Sequence, residues 1–331
     1  MRQTMQKTGR LLGAACLAAA GLATTALLSS GALAQGFPTK PIRVIYNYPP
    51  GSGGDDLLRM IGQEAQKTLG QPFVVEAKPG ASGRLGLLEL KSARGDAHLL
   101  SSIDGSNVVV VPLEEPDFKM EVVKDFVPVA GVYAFEMTLV ANAGLPFKDI
   151  RGLVEYGKAN PGKLNFANNG VGSAGHLAML MLADKAGISV LHVPYKGQGQ
   201  YMPAIASGEA SVALATLGAF RPFVDSGKVV VLGATGRERS PLIPNIPTVR
   251  EQGVPFDYGS WFGLAAPPDA PADAVAKLNT AITAAIKQPE ILTKLKFFGY
   301  VDFPSTPENF VSIIRRDVDT WKPVVAKVKL N

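Results

Sequence analysis

Tyr46-Asn47-Tyr48-Pro49-Pro50-Gly51-Ser52-Gly53-Gly54-Asp55-Asp56 joins an apolar run, Ile42 to Tyr46, to a helical pattern carrying Leu57, Leu58, Ile61 and Leu69. Strand, Gly-rich turn and helix start in that order make an anion cradle, because the first N–H groups of a helix lack internal partners and carry the positive end of its dipole. Taken alone, the cradle suits a phosphate, a nucleotide or a carboxylate. The expectation is a carboxylate.

The bulk properties narrow the class. Arg2, Lys7 and Arg10 precede an apolar and small-residue run, Leu11 to Leu28, and Ala32-Leu33-Ala34 forms an A-x-A cleavage site, so residues 1–34 read as an export signal cleaved after Ala34. Taking 34 of 331 residues away leaves 297, about two domains at roughly 100 to 200 residues each. It also takes the basic count from 33 to 30 against 28 acidic residues, so the mature chain is nearly neutral and nothing in its charge calls for nucleic acid. The single cysteine, Cys16, lies in the leader, which leaves no disulfide or thiol chemistry. With only His98, His176 and His192 besides, widely spaced, no metal site is expected.

Outward from the opening loop, short β-rich runs alternate with helical patterns: Ile42 to Tyr46, a helix from about Asp55 to Leu69, Pro72 to Glu76, a helix from about Arg84 to Ser92, and Leu99 to Ile103. Such alternation predicts parallel strands with crossover helices. Two more β-rich runs follow, Phe126 to Val132 and Met137 to Ala141, the second read as a crossing into another domain. The alternation then restarts with helices near Asp149 to Lys158, Ala174 to Lys185 and Gln200 to Ser207, and strands Leu164 to Ala167, Val190 to Val193, Ser211 to Leu214 and Val229 to Gly233. Tyr258 to Ala265 reads as a return crossing. Two or three helices close the chain, the first with Val275, Leu278, Ile282 and Ile286 on one face and the last starting at Thr306-Pro307. The expected division is residues 35–135 and 258–331 for domain one and 136–257 for domain two. Two crossings make a hinge.

Domain two repeats the opening arrangement. Strand Leu164 to Ala167 ends in Asn168-Asn169-Gly170-Val171-Gly172-Ser173-Ala174-Gly175-His176, and a helix follows. Gly170, Gly172 and Gly175 also fit the dinucleotide fingerprint G-x-G-x-x-G, which would make the protein an NAD-linked enzyme. That fingerprint needs an acid at the end of the next strand, and here the strand ends Val193-Pro194-Tyr195-Lys196. Plain anion binding is therefore favoured, with no cofactor. Ser82 and Ser173 each lack one glycine of a G-x-S-x-G elbow, so serine hydrolysis has no nucleophile. His176 either faces the cleft or packs locally, and His192 is expected to be structural. Asp55 and Asp56 either cap the first turn or face the ligand; in the second case an amino-bearing acid is the better ligand.

The mature chain resembles the receptors of tripartite tricarboxylate transporters, the Bug family of periplasmic solute-binding proteins. The likeness rests on Phe37-Pro38-Thr39-Lys40-Pro41-Ile42, Pro49-Pro50-Gly51 through Asp55 to Arg59, Leu69-Gly70-Gln71-Pro72 with Pro79-Gly80-Ala81, His192-Val193-Pro194-Tyr195-Lys196-Gly197, Ile246-Pro247-Thr248-Val249 before Gly253, Ser260-Trp261-Phe262-Gly263 and Thr306-Pro307-Glu308. It implies an α/β, two-lobed Venus-flytrap fold of the type II kind, each lobe a mostly parallel sheet flanked by helices. It implies no catalysis. Carried onto matching positions, it selects Pro49 to Gly54, Ser101 and Ser102, Asn168, Asn169, Gly170, Gly172 and Ser173, and Tyr195, Lys196 and Gly197 as ligand-side residues. Tyr48, Asp55, Ala174 and His176 adjoin them in the two loops. Thr216 joins them where the family often has an acidic residue after a strand. The implied protein is a periplasmic monomer that offers a bound small carboxylate, organic acid or amino acid, to membrane permease subunits or, alternatively, to a membrane sensor.

Overall fold

The structure, a computed structural model, describes residues 36–327 apart from 116, 169, 171, 172 and 196. The chain divides into two compact units, Met1–Thr39 and Lys40–Asn331. Of the first only residues 36–39 are described, with a cis Phe37–Pro38 peptide, and the expected leader lies outside the described residues. Everything below concerns the second unit.

Two sheets organise that unit. The first has the order β11-β4-β10-β3-β1-β2, from β1 (Ile42–Tyr46), β2 (Phe73–Ala77), β3 (Leu99–Asp104), β4 (Val127–Glu136), β10 (Gly259–Ala266) and β11 (Tyr300–Asp302). The second has the order β7-β6-β8-β5-β9, from β5 (Thr138–Asn142), β6 (Asn165–Asn168), β7 (Leu191–Pro194), β8 (Val212–Ala215) and β9 (Val229–Ala234). The β1–β2 and β1–β3 pairs are parallel, as are β6–β7 and β6–β8, and helices join them. A parallel strand covered on both faces reads as a near-continuous apolar run, and β1 does so. The expected two-lobed α/β fold is present, with one refinement. The crossing strands run against their neighbours: β10 is antiparallel to β3 and β4, and β5 to β8 and β9.

Helix α1 (Gly53–Leu69) buries Leu57, Leu58, Ile61 and Ala65. Gly62 lets it approach β2 closely, since a Cβ there would stand 2.6 Å from the Cβ of Phe73. The other helices are α2 (Arg84–Ser92), α3 (Ile150–Ala159), α4 (Ala174–Ala186), α5 (Gln198–Ser207), α6 (Leu217–Asp225), α7 (Ala272–Ile286), α8 (Pro289–Phe298) and α9 (Pro307–Lys327). A π turn, Ser106–Val110, runs into the short helix Val111–Glu114. Sequence reading misses α6, whose Pro222 breaks the helical pattern, and the three-residue strand β11. Both prove to matter for the site.

Only Met137 separates β4 of the first sheet from β5 of the second. The chain returns between β9 and β10 through Thr235 and Tyr258. Thr235 is fully buried, and its amide donates to the Met137 carbonyl at 2.9 Å while it accepts on its own carbonyl the amide of Tyr258 at 2.7 Å. The two crossings are thus bonded to each other.

Candidate functional site

A cavity of about 850 Å³ lies between the sheets, at the carboxyl ends of β1, β3, β4 and β8 and the amino ends of β10 and β11. Ligand sites in open α/β sheets form at that edge. Tyr48, Pro49, Pro50, Gly51, Ser52, Gly53 and Gly54 all line it. From the second sheet's side come Ser173, Gly175, Gly197 to Gln200, and Thr216.

Three helix N-termini meet this cavity without a side-chain cap. Ser52 has the extended backbone of an N-cap, φ −83° and ψ 163°, yet makes no capping bond, because its hydroxyl is paired with the Tyr46 hydroxyl. Thr216, before α6, bonds the Gln198 side-chain oxygen through its amide at 3.1 Å and its hydroxyl at 3.2 Å. Gly197, before α5, has no side chain to cap with. Away from the cavity Asp149 caps α3 by accepting the Gly152 amide at 2.7 Å, while α2, α7 and α8 have no side-chain cap. Uncapped N-terminal N–H groups facing a cavity attract an anion. The fourth N-terminus at the cavity, that of α4, is capped by Ser173, which accepts the His176 amide.

Several expected residues stand behind the wall. Ser101 and Ser102 are fully buried; their hydroxyls accept the side-chain amide and the backbone amide of Asn47, each at 3.0 Å. They hold the end of β1 and do not line the cavity. Asp55 is buried too, its carboxylate accepting the Gly51 amide at 2.9 Å and pairing with Arg59 at 3.0 Å, so it pins the loop and does not face the ligand. Asn168 takes the Gly170 amide and His192 Nε2 on its side-chain oxygen, both at 2.8 Å. Asn168 and His176 are buried and, like Gly170, lie off the cavity wall. His176 packs on His192 with ring centroids 4.1 Å apart; burial, and then the neighbouring imidazole, bring its pKa down to about 4. Tyr195 points elsewhere, its hydroxyl donating to Glu209 at 2.9 Å. Asn169, Gly172 and Lys196 lie outside the described residues, and of Ala174 only the backbone position, at the start of α4, is described.

Sequence reading overlooked the floor. Tyr46, Tyr133, Phe262 and Tyr300 line the cavity from four strands, with Tyr258 and Asp104 beside them. Tyr300, Tyr133 and Phe262 form a parallel stack, the first two centroids 4.4 Å apart and the next two 4.9 Å apart. Asp104 accepts the Tyr48 hydroxyl and, on its other oxygen, the amides of Ser106 at 2.8 Å and Asn107 at 3.0 Å. Burial raises its pKa. Strand aromatics alternate like core residues, so no sequence pattern marks them. Among the described residues no group of three or more His, Cys, Asp or Glu converges that could hold a metal.

Helices of the two lobes also touch next to the cavity residues Thr216 and Tyr300. A Cβ on Gly299, which follows α8, would stand 2.4 Å from Leu217 Cβ at the start of α6, and one on Gly218 would stand 3.5 Å from the Phe298 backbone. Phe298 covers Gly53 as well, its ring 3.0 Å from where a Cβ there would lie.

Two lobes joined at a double crossing, with helix N-termini from both turned into the space between, define a solute-binding protein of the flytrap kind. The chain belongs to the tripartite tricarboxylate transporter family of receptors, whose family model matches residues 57–330. It is 31% identical over 317 residues to a protein from the tcbD-tcbE intergenic region of Pseudomonas sp. strain P51, covering 95% of this chain and 94% of that one. BugT of Bordetella pertussis is 28% identical over 303 residues, covering 91% and 93%. Among solved structures, MatC from Rhodopseudomonas palustris with bound malate is 30% identical with a TM-score of 0.77, over 87% of this chain and all of that one. The family is one of receptors and not of enzymes, which removes the ground for reading Gly170 to Gly175 as a dinucleotide loop.

Proposed function

We propose that this protein is a periplasmic receptor that closes its two lobes on a small carboxylate and presents the closed form to membrane subunits of a tripartite tricarboxylate-type transporter. Residues 35–135 with 258–331 make one lobe, residues 136–257 the other, and the receptor works as a monomer after losing residues 1–34. What carries the reading is the diversion of the caps: the hydroxyls of Ser52 and Thr216 are engaged sideways, so the N-termini of α1, in one lobe, and α6, in the other, border the same cavity without a side-chain cap. Closure follows from differential binding, since only the closed form lets one anion use donors from both lobes. MatC, similar in sequence and fold, holds malate.

Calorimetric titration of residues 35–331 with acetate, benzoate, malate, adipate, citrate and glutamate tests the ligand class. Saturable binding of at least one is expected. Failure of all six would overturn the carboxylate reading. Uptake of the bound acid by cells with and without the gene then tests the transport role.

A further inference from the structure

Five phenols line the cavity, of which Tyr258 bonds the Ser260 side chain and two more are spent. Tyr46 is paired with Ser52 and Tyr48 with Asp104. The hydroxyls of Tyr133 and Tyr300 have no hydrogen-bond partner among the described residues, although Tyr133 is 5% exposed. With a buried ring and a hydroxyl open to the cavity, Tyr133 can turn its proton to an acceptor that enters there. Its direction is fixed as well: a Cβ on Gly54, in the first turn of α1, would come within 3.0 Å of the Tyr133 oxygen and 2.8 Å of the Tyr46 oxygen. The phenol therefore aims at the same uncapped turn that offers its amides.

We propose that the Tyr133 and Tyr300 hydroxyls are ligand-binding donors, which complete the carboxylate site at the α1 N-terminus with O–H groups from β4 and β11. The inference rests on the carboxylate reading above and deepens it. Neither phenol can pivot, since each ring is held in the parallel stack Tyr300–Tyr133–Phe262. Donors fixed in advance bind an anion without paying for reorganisation. Both also remain protonated at any physiological pH, because burial raises the Tyr300 pKa to about 12 and that of Tyr133 well above its usual value. The one carboxylate on the floor, Asp104, is already held by Tyr48 and two amides, so it does not compete for these two protons. The site so built favours an acid whose carboxylate lies flat against the floor over a polar, phenolic rim.

The test uses whichever of acetate, benzoate, malate, adipate, citrate and glutamate binds the wild-type protein most tightly. Tyr133→Phe and Tyr300→Phe each remove one oxygen and keep the ring stack. Each is expected to weaken that acid about ten- to a hundredfold, the worth of one hydrogen bond to a charged group. Melting temperature without ligand should hold, and the tyrosine difference spectrum produced by saturating acid should shrink in each variant. Tyr156→Phe, in α3 away from the cavity, serves as the control with unchanged affinity. If the wild type binds an acid and both variants bind it equally well, the donor role is wrong while the carboxylate reading stands. If the wild type binds none, that reading fails first.

Discussion

Thr235 and Met137 exchange three hydrogen bonds: the Thr235 amide to the Met137 carbonyl at 2.9 Å, the Met137 amide to the Thr235 hydroxyl at 3.1 Å, and that hydroxyl to the Met137 carbonyl at 2.8 Å. The same hydroxyl stands 2.7 Å from the Tyr258 carbonyl. One side chain thus ties the outgoing crossing to the returning one. The two crossings between the sheets are bonded to each other and are not two independent linkers.

Thr235→Val keeps the shape and removes the hydroxyl. It strands the buried amide of Met137 and removes the one proton that the Met137 and Tyr258 carbonyls share, so unfolding stability should fall by about 1 to 3 kcal/mol. Urea denaturation monitored by circular dichroism checks this. A variant as stable as the wild type would mean that the hydroxyl is replaceable by relaxation at the crossing.

The Tyr46–Ser52 pair predicts a trade between stability and binding. Ser52 already has the backbone of an N-cap, and only its bond to the Tyr46 hydroxyl keeps its side chain off the α1 amides. Tyr46→Phe frees the serine to turn back and cap its own helix, a bond worth about 1 kcal/mol. The unliganded protein should therefore melt at the same temperature or higher, while carboxylate affinity falls because the cap occupies the anion's place. Calorimetry and thermal unfolding on the same sample decide it. Affinity equal to wild type would detach this turn from the ligand.

The strand-turn-helix units that open α1 and α4 were legible in the sequence, and the aromatic floor of the cavity was not. Gly-rich loops at strand ends, at Pro49 to Gly54 and at Gly170 to Ser173, show themselves through turn chemistry and the helical pattern that follows. What a side chain in such a loop bonds to is a tertiary matter. Ser52 and Thr216 are of residue types that ordinarily cap helices, and their diversion depends on Tyr46 and Gln198 being placed against them by other elements. Asp55 sits among the ligand-side residues in sequence and yet folds back onto Gly51. Tyr133 and Tyr300 are 167 positions apart and meet only because β4 and β11 pair, through Val301 opposite Ala134.

The imidazole pair sets a pH dependence with a definite sign. Burial lowers the pKa of both His176 and His192, that of His176 to about 4 with His192 as its second cause, so the folded protein prefers them neutral. In the unfolded chain they titrate near about 6.5. The stabilisation is therefore complete above about pH 6.5 and is lost as pH falls toward about 4, where the unfolded state binds protons that the folded state refuses. Thermal unfolding followed from neutral pH down to about pH 5 should show a falling melting temperature, and His176→Gln should flatten the slope. An equal slope in the variant would place the acid lability elsewhere.

Closure itself can be wedged at a single atom. Gly299 ends α8 in the left-handed region, φ +80°, and its amide satisfies the Leu295 and Lys296 carbonyls. Ala there costs about 1 kcal/mol for the backbone alone. The added methyl would also overlap Leu217 Cβ, which belongs to the opposite lobe and leads into the uncapped N-terminus of α6. Gly299→Ala should therefore hold the lobes apart, lowering carboxylate affinity and enlarging the radius of gyration measured by small-angle scattering in the presence of ligand. Backbone strain by itself would do neither. Removing the opposing atom in Gly299→Ala with Leu217→Gly should recover part of the affinity, and the coupling between the two substitutions measures the contact. If the single variant closes and binds like the wild type, the contact between Gly299 and Leu217 is not part of the liganded state.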